Sequence, residues 1–269
     1  MTNPIAIYCK SYRNDLPHVK VLLDSVNRNN VDHIPFFISV PADDVTLFQS
    51  ELGSVGYTLV RDEDIADLPT DVPGWIKQQV VKSSFWKLGV CDNYVMVDSD
   101  SYFIRPFHTT DFLYNGTPYT VMHEQHDLFS WTCNKTQQLG FDPQQSFAEC
   151  RRKIMDLFDR ADGKIYDFGP GPVIWNAKVW QSLEELYLKP SGVTLAQAFT
   201  KVPSEFTWYG EWLLATQPIM LLPIEPPFKV FHYQGQYDEM KQQCVTEADL
   251  AKVYMGITMQ SNWGAPVSY

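Results

Sequence analysis

The sequence contains no apolar run approaching the roughly 20 residues needed to cross a bilayer. Its opening, MTNPIAIYCKSYRND, has no basic start followed by a long apolar core and a small-residue cleavage site, so no secretory leader is expected. Cysteine is scarce and unpatterned: Cys9, Cys91, Cys133, Cys150 and Cys244 form an odd, scattered set with no CxxC pair. That argues against a disulfide framework and suits reduced thiols in the cytoplasm. Cations are also in short supply, with 21 Lys+Arg against 32 Asp+Glu and a net charge of -11. Such an acidic surface repels phosphate backbones and argues against a nucleic-acid partner. An anionic small ligand stays compatible, because a metal ion and a few lysines reverse the field locally. Internal repeats, low-complexity tracts and linker-like shifts of composition are missing too. What is there, 269 residues of which 45% are hydrophobic, suffices for one folded domain over 1–269. A soluble, cytoplasmic protein is the expectation, with recruitment to a membrane by a partner left open.

The first part of the chain alternates strand and helix patterns. PIAIYCKSY, HIPFFISV, YTLVRDEDI and NYVMVDSD read as strands. Between them lie DLPHVKVLLDSVNRNN, with Val19, Leu22, Leu23 and Val26 at helical spacing, then PADDVTLFQSEL, and a helix over Asp71 to Val90. This order predicts an α/β fold whose sheet is mainly parallel and flanked by helices. Ligands of such sheets bind beyond the carboxyl ends of the strands. Later, PYTVMHEQ and FKVFHYQGQ read as strands, and Phe147 to Arg160 and GEWLLATQ as helices. GPGPVIWNAKVWQSLEELYL reads as a Gly/Pro turn, a short strand and a helix.

Two carboxylates, Asp98 and Asp100, stand at the tip of the fourth strand with only Ser99 between them. Like charges this close cost free energy unless they point apart or share a cation. On the preceding helix, Ile76, Val80, Val81, Ser84 and Leu88 form the face expected on the sheet. Trp75, Gln78, Gln79, Lys82 and Trp86 fall opposite. Either a second layer of protein covers that opposite face, or Gln79 and Lys82 reach a nucleotide or phosphate held at the strand tips. A D-x-D at a strand end suits three chemistries. It can hold a divalent cation against a diphosphate, since hard oxygen ligands suit Mg2+ or Mn2+. It can follow the haloacid dehalogenase pattern of nucleophile and acid, which fits poorly because several elements precede it and Ser101 and Tyr102 follow. Or one Asp caps a turn and the other meets solvent.

The helix GWIKQQVVKSSFWKLGV followed by NYVMVDSDSYFIRPF resembles the nucleotide-sugar-dependent glycosyltransferases of the GT-A type. More particularly it is similar to a bacterial glycosyltransferase-like branch without an assigned reaction. IAIYCKSY, GPGPVIWN, TWYGEW and FHYQGQ fit the same plan over most of the chain. The resemblance implies a Rossmann-type mixed sheet, with a nucleotide-sugar half over about 1–106 and an acceptor half over 107–269. It makes Asp98, Asp100 and His232 the ligands of Mn2+ or Mg2+, with Asp100 the more direct of the two acids. Lys10, Ser11, Tyr12, Gln79, Lys82, Asp98 and Ser99 become the nucleotide-side contacts. Glu211, read as the acid at the start of a late helix, becomes the base that deprotonates the acceptor. Asp167 is the rival base.

Each assignment has a bland counterpart. Glu211 also suits a helix N-terminus and His232 a structural histidine; the HEQHD stretch, His123 to Asp127, reads as acceptor-side lining or a solvated loop. The implied activity is metal-dependent transfer from a nucleotide-sugar, UDP-sugar favoured, to a glycan or other hydroxyl acceptor with inversion, in polysaccharide biosynthesis. Two alternatives stand beside it. A nucleotidyltransferase normally opens with a Gly-rich basic loop, which YCKSYRND lacks. A non-catalytic glycan-binding descendant would keep the architecture and lose turnover.

Overall fold

The computed structural model describes residues 3–133 and 135–260. Four strands, β1 (Asn3–Lys10), β2 (Phe36–Val40), β3 (Thr58–Arg61) and β4 (Cys91–Val97), run parallel in the order β3-β2-β1-β4. Between them pass α1 (Leu16–Asn29), α2 (Val45–Leu52), the one-turn α3 (Asp62–Ile65) and α4 (Gly74–Ser84). Residues 5–10 of β1 and all of β2 are buried. A parallel sheet covered on both faces requires such unbroken apolar runs. Successive side chains alternate between two cores: Ala6, Tyr8, Tyr94 and Met96 join the cluster under α4, and Ile7, Cys9, Val95 and Val97 join Val19, Leu22 and Phe48 of α1 and α2.

Beyond β4 the chain makes β5 (Ser101–Phe103), the short β6 (Leu113–Tyr114), β7 (Thr117–Pro118) and β8 (Thr120–Val121), then α5 (His126–Thr132), α6 (Thr136–Leu139) and α7 (Pro143–Leu157). β9 (Val173–Asn176) returns antiparallel to β4 as an edge of the main sheet. α8 (Ala177–Leu183), α9 (Leu195–Lys201) and α10 (Glu205–Thr216) follow. After β10 (Pro223–Ile224) come β11 (Phe228–Phe231), α11 (Gln234–Gln242), α12 (Glu247–Leu250) and β12 (Gly256–Met259). A second sheet has the order β11-β12-β5. It grows directly from the D-x-D, because β5 starts one residue after Asp100.

The observed elements depart from the sequence expectation in several places, among them YTLVRDEDI and FKVFHYQGQ, whose ends DEDI and QGQ are helical. The helix expected over Asp71 to Val90 ends at Ser84, becomes a 3-10 turn, and stops at Gly89, whose φ of 64° is left-handed. PYTVMHEQ is two short strands rather than one. α7 starts before Phe147, where Asp142 caps Gln144 and Gln145 and Pro143 occupies the first turn. α10 starts at Glu205, capped by Ser204, so Glu211 lies mid-helix and not at its start. Gln79 and Lys82 are buried, although Trp75 on the same face is 53% exposed, and α4 packs against α9 and α10.

Candidate functional site

β1 and β4 are neighbours with Cys9 opposite Val97, so Ser11 and Asp98 leave the sheet side by side. The cation between the acids is a lysine. Lys82 Nζ lies 2.5 Å from Asp98 Oδ1 and 3.5 Å from Glu205 Oε1. α4 fixes this lysine from below, where Tyr94 donates its hydroxyl to the Lys82 carbonyl at 3.1 Å. Burial works to discharge the ammonium, but Asp98, Glu205 and Asp100 outweigh it and raise its pKa, so Lys82 stays charged. Burial raises the Glu205 carboxyl, and Lys82 offsets part of that rise. Ser99 donates to Asp15 Oδ2 at 3.2 Å, bringing a further carboxylate to the cluster; burial raises Asp15 as well. Gly171 of the Gly/Pro turn lies against this group: a Cβ there would sit 3.2 Å from Asp98 Oδ2. The turn approaches because glycine carries no side chain.

Asp100 and His232 are related through the second sheet. Met259 N donates to Asp100 O at 2.9 Å, and Gln260 N donates to Phe231 O at 3.2 Å. The D-x-D and the residue before His232 therefore stand at the same end of one sheet, two interstrand steps of roughly 4.8 Å apart. The three expected metal ligands are nevertheless not assembled. Asp98 is bound to Lys82, and among the described residues no three His, Cys, Asp or Glu side chains converge on a metal position. His232 lies in a different charge environment from the acids: burial lowers its pKa to about 4, against the field of Asp167 and with that of His123 and Lys229. Its imidazole is neutral at pH 7, the form that ligates metals.

The remaining expected residues divide. Ser11 is fully buried with its hydroxyl unpartnered, and Gln79 is buried with Oε1 unpartnered. Ser11 follows the end of β1 and Gln79 lies about one turn before Lys82 on α4, so a ligand there would meet polar atoms without protein partners. Tyr12 is 41% exposed beside them. Lys10 instead turns inward: Nζ contacts Asp62 Oδ2 at 2.8 Å, within a network of Asp62, Ser39 and Tyr8. Both base candidates are buried and held by an arginine, and Glu211 keeps Oε1 without a hydrogen-bond partner. Glu211 has no exposed surface and accepts from Arg160 Nε at 2.6 Å. Asp167 is buried and accepts from Arg151 Nη2 at 2.5 Å and from the Gln125 side chain.

Glu205 and Arg151 were not read from the sequence. For Glu205 a signal existed, since Ser204 followed by an acid is a helix start. Arg151 gave none, being recruited by a distant part of the chain, whereas His123 stands in the HEQHD stretch noted above. His123 is exchanged with Asp167 in a backbone bridge and its Nε2 lies 2.8 Å from Gly169 O. With His232 it lines a cavity of about 460 Å³, next to Pro170 of the Gly/Pro turn. The strand tips thus hold several carboxylates around the Lys82 ammonium, and the cavity beside His232 is lined by other residues.

The profile of DUF6492, a family of unknown function, matches residues 3–157. No curated protein gives a significant match. Among solved structures, the chain is similar to the galactosyltransferase LgtC in complex with donor and acceptor sugar analogs, at 14% identity, 96% of this chain and 87% of that one, with a TM-score of 0.52. It is likewise similar to an active-site mutant of LgtC, at 16% identity, 97% and 88% coverage, and a TM-score of 0.52. These likenesses are of fold: the mixed sheet, mainly parallel and flanked by helices, is the GT-A arrangement.

Proposed function

Because the chain belongs to the DUF6492 family and has the GT-A fold, we propose that it is a glycosyltransferase, moving a sugar from a nucleotide-sugar donor to a hydroxyl of a glycan or similar acceptor. The observation that carries this reading is Lys82, buried and charged between Asp98 and Glu205 at the tip of β4. A preorganised cation in a water-poor cleft is the group that stabilises charge developing on a departing diphosphate. Ser11 and Gln79, with unpartnered polar atoms, and exposed Tyr12 would bind the nucleoside beside it.

A divalent cation fits the same floor. Asp15, Asp98, Asp100 and Glu205 outnumber the single Lys82 ammonium, and Asp100 with neutral His232 offers the oxygen and nitrogen donors that Mn2+ accepts. Asp100 and His232 would hold it, with Asp98 kept in place by Lys82; when bound, the ion neutralises the diphosphate. With Glu211 and Asp167 both engaged by arginines, a base for inversion falls to neither. We therefore propose sugar transfer without building its stereochemical course on those residues.

Incubation with UDP- and GDP-sugars plus Mn2+ tests the reading. Slow release of nucleoside diphosphate, lost in Lys82→Ala, is expected, with the UDP-sugar tried first. Release of pyrophosphate from a nucleoside triphosphate would instead mark a nucleotidyltransferase. No turnover of either would leave a binding module.

A further inference from the structure

The cavity of about 460 Å³ beside His232 is within the roughly 300–1,000 Å³ range of small-molecule sites. Its inner wall is built rather than incidental. His123, 9% exposed, has Nε2 at 2.8 Å from the Gly169 carbonyl. A carbonyl only accepts, so Nε2 carries a proton and donates to it. Nδ1 lies on the side of Glu225, whose Oε2 is 3.9 Å away. Asp167 and Gln125 hold the segment from behind, and Gln125 keeps a left-handed backbone with φ 57° at the cavity edge. Strained backbone persists where the surroundings enforce it, commonly at ligand sites.

Charge decides what such a cavity accepts. Three carboxylates, Glu124, Asp127 and Glu225, line it; Lys229 pairs with Asp127 at 2.8 Å and Lys164, outside the lining, with Glu124 at 2.6 Å, so among the described residues Glu225 is the lining carboxylate with no lysine or arginine against it. Phe228, Val253 and Tyr254 supply apolar and aromatic surface opposite. Polyhydroxylated rings need both kinds of wall: carboxylates accept from hydroxyls, and aromatic faces meet C–H faces. We propose that this cavity is the acceptor-sugar subsite and that it selects neutral or amino-bearing saccharides and rejects those carrying a carboxylate. The role as acceptor subsite rests on the transferase reading; the charge selection rests on the lining alone.

The test titrates methyl β-glucoside, methyl β-glucosaminide and methyl β-glucuronide into the full chain by ligand-observed NMR. It is run with and without Mn2+ and whichever nucleoside diphosphate most raises Tm. The neutral and amino glycosides are expected to bind at least about tenfold more tightly than the glucuronide at low salt. Glu225→Lys, a substitution at an 82% exposed side chain, should reduce that ratio severalfold without changing Tm. Equal or tighter binding of the glucuronide, no binding of any glycoside, or an unchanged ratio in Glu225→Lys overturns the proposal. If the glycosides bind in the expected order but no nucleotide does, the charge selection stands and the transferase reading falls. If nucleotide binds and glycosides do not, the reverse holds.

Discussion

Replacing Lys82 by methionine removes the one ammonium that Asp98 and Glu205 share at 2.5 and 3.5 Å. The side chains of Lys82 and Glu205 are each 7% exposed and that of Asp98 22%, so water repairs little of the loss. Breaking a buried pair by deleting one partner costs about 3–5 kcal/mol, because the other charge is left uncompensated. At 2–4 °C per kcal/mol for a chain of this size, Lys82→Met should lower Tm by roughly 6–20 °C. Two carboxylates depend on this lysine, so neutralising one should return part of the loss. Glu205→Gln added to Lys82→Met should recover at least ~1 kcal/mol, which makes the double-mutant cycle non-additive. Urea unfolding followed by tryptophan fluorescence on the four proteins measures it. Additive effects, or a Lys82→Met loss below ~1 kcal/mol, would refute the claim that Lys82 is the shared counter-ion.

Asp100→Ala should abolish Mn2+-dependent binding of the donor nucleotide in calorimetry while the unfolding midpoint moves little; unchanged affinity removes the cation from Asp100. Gly171→Ala places a methyl 3.2 Å from Asp98 Oδ2, and should weaken nucleotide binding severalfold at a stability cost near ~1 kcal/mol, read by calorimetry and thermal shift. Gly210→Ala drives a methyl to 2.0 Å from the Phe168 ring, and should lower Tm through overpacking of ~1–3 kcal/mol or more. Burial raises the Glu211 carboxyl above its ordinary value near 4.5, and Arg160 offsets only part. The folded state then holds the proton longer than the unfolded chain, so stability is lost as pH rises from that ordinary value through the raised one. Glu211→Gln should flatten this fall in urea midpoints between pH 4 and 7 and leave nucleotide release intact; a loss of release beyond about a hundredfold would restore Glu211 as base.

Much of the fold was legible because its signals are local. Unbroken apolar runs such as FFISV mark strands covered on both faces, and Val19, Leu22 and Val26 mark the buried stripe of α1. The D-x-D stood out because a strand pattern ended on two acids. Glu205 escaped notice because GEWLLATQ reads as a helix by itself, and the capping Ser204 six residues before Gly210 decides where that helix begins. The position of Gly210 itself reflects contact with Phe168, a residue outside the helix.

By itself, the sequence determined the strand-helix alternation, the parallel sheet, and the acids and lysine that one turn of α4 and one strand carry to a common edge. These follow from periodicity and backbone sterics acting over a few residues. Only the tertiary structure decided that Lys82 is the cation between Asp98 and a carboxylate 107 positions beyond it, that Glu211 and Asp167 are held by arginines, and that β12 ties Asp100 and the residue before His232 to one end of a sheet. Those outcomes depend on which distant surfaces pack together, and no local pattern encodes the partner of a side chain that lies across the fold.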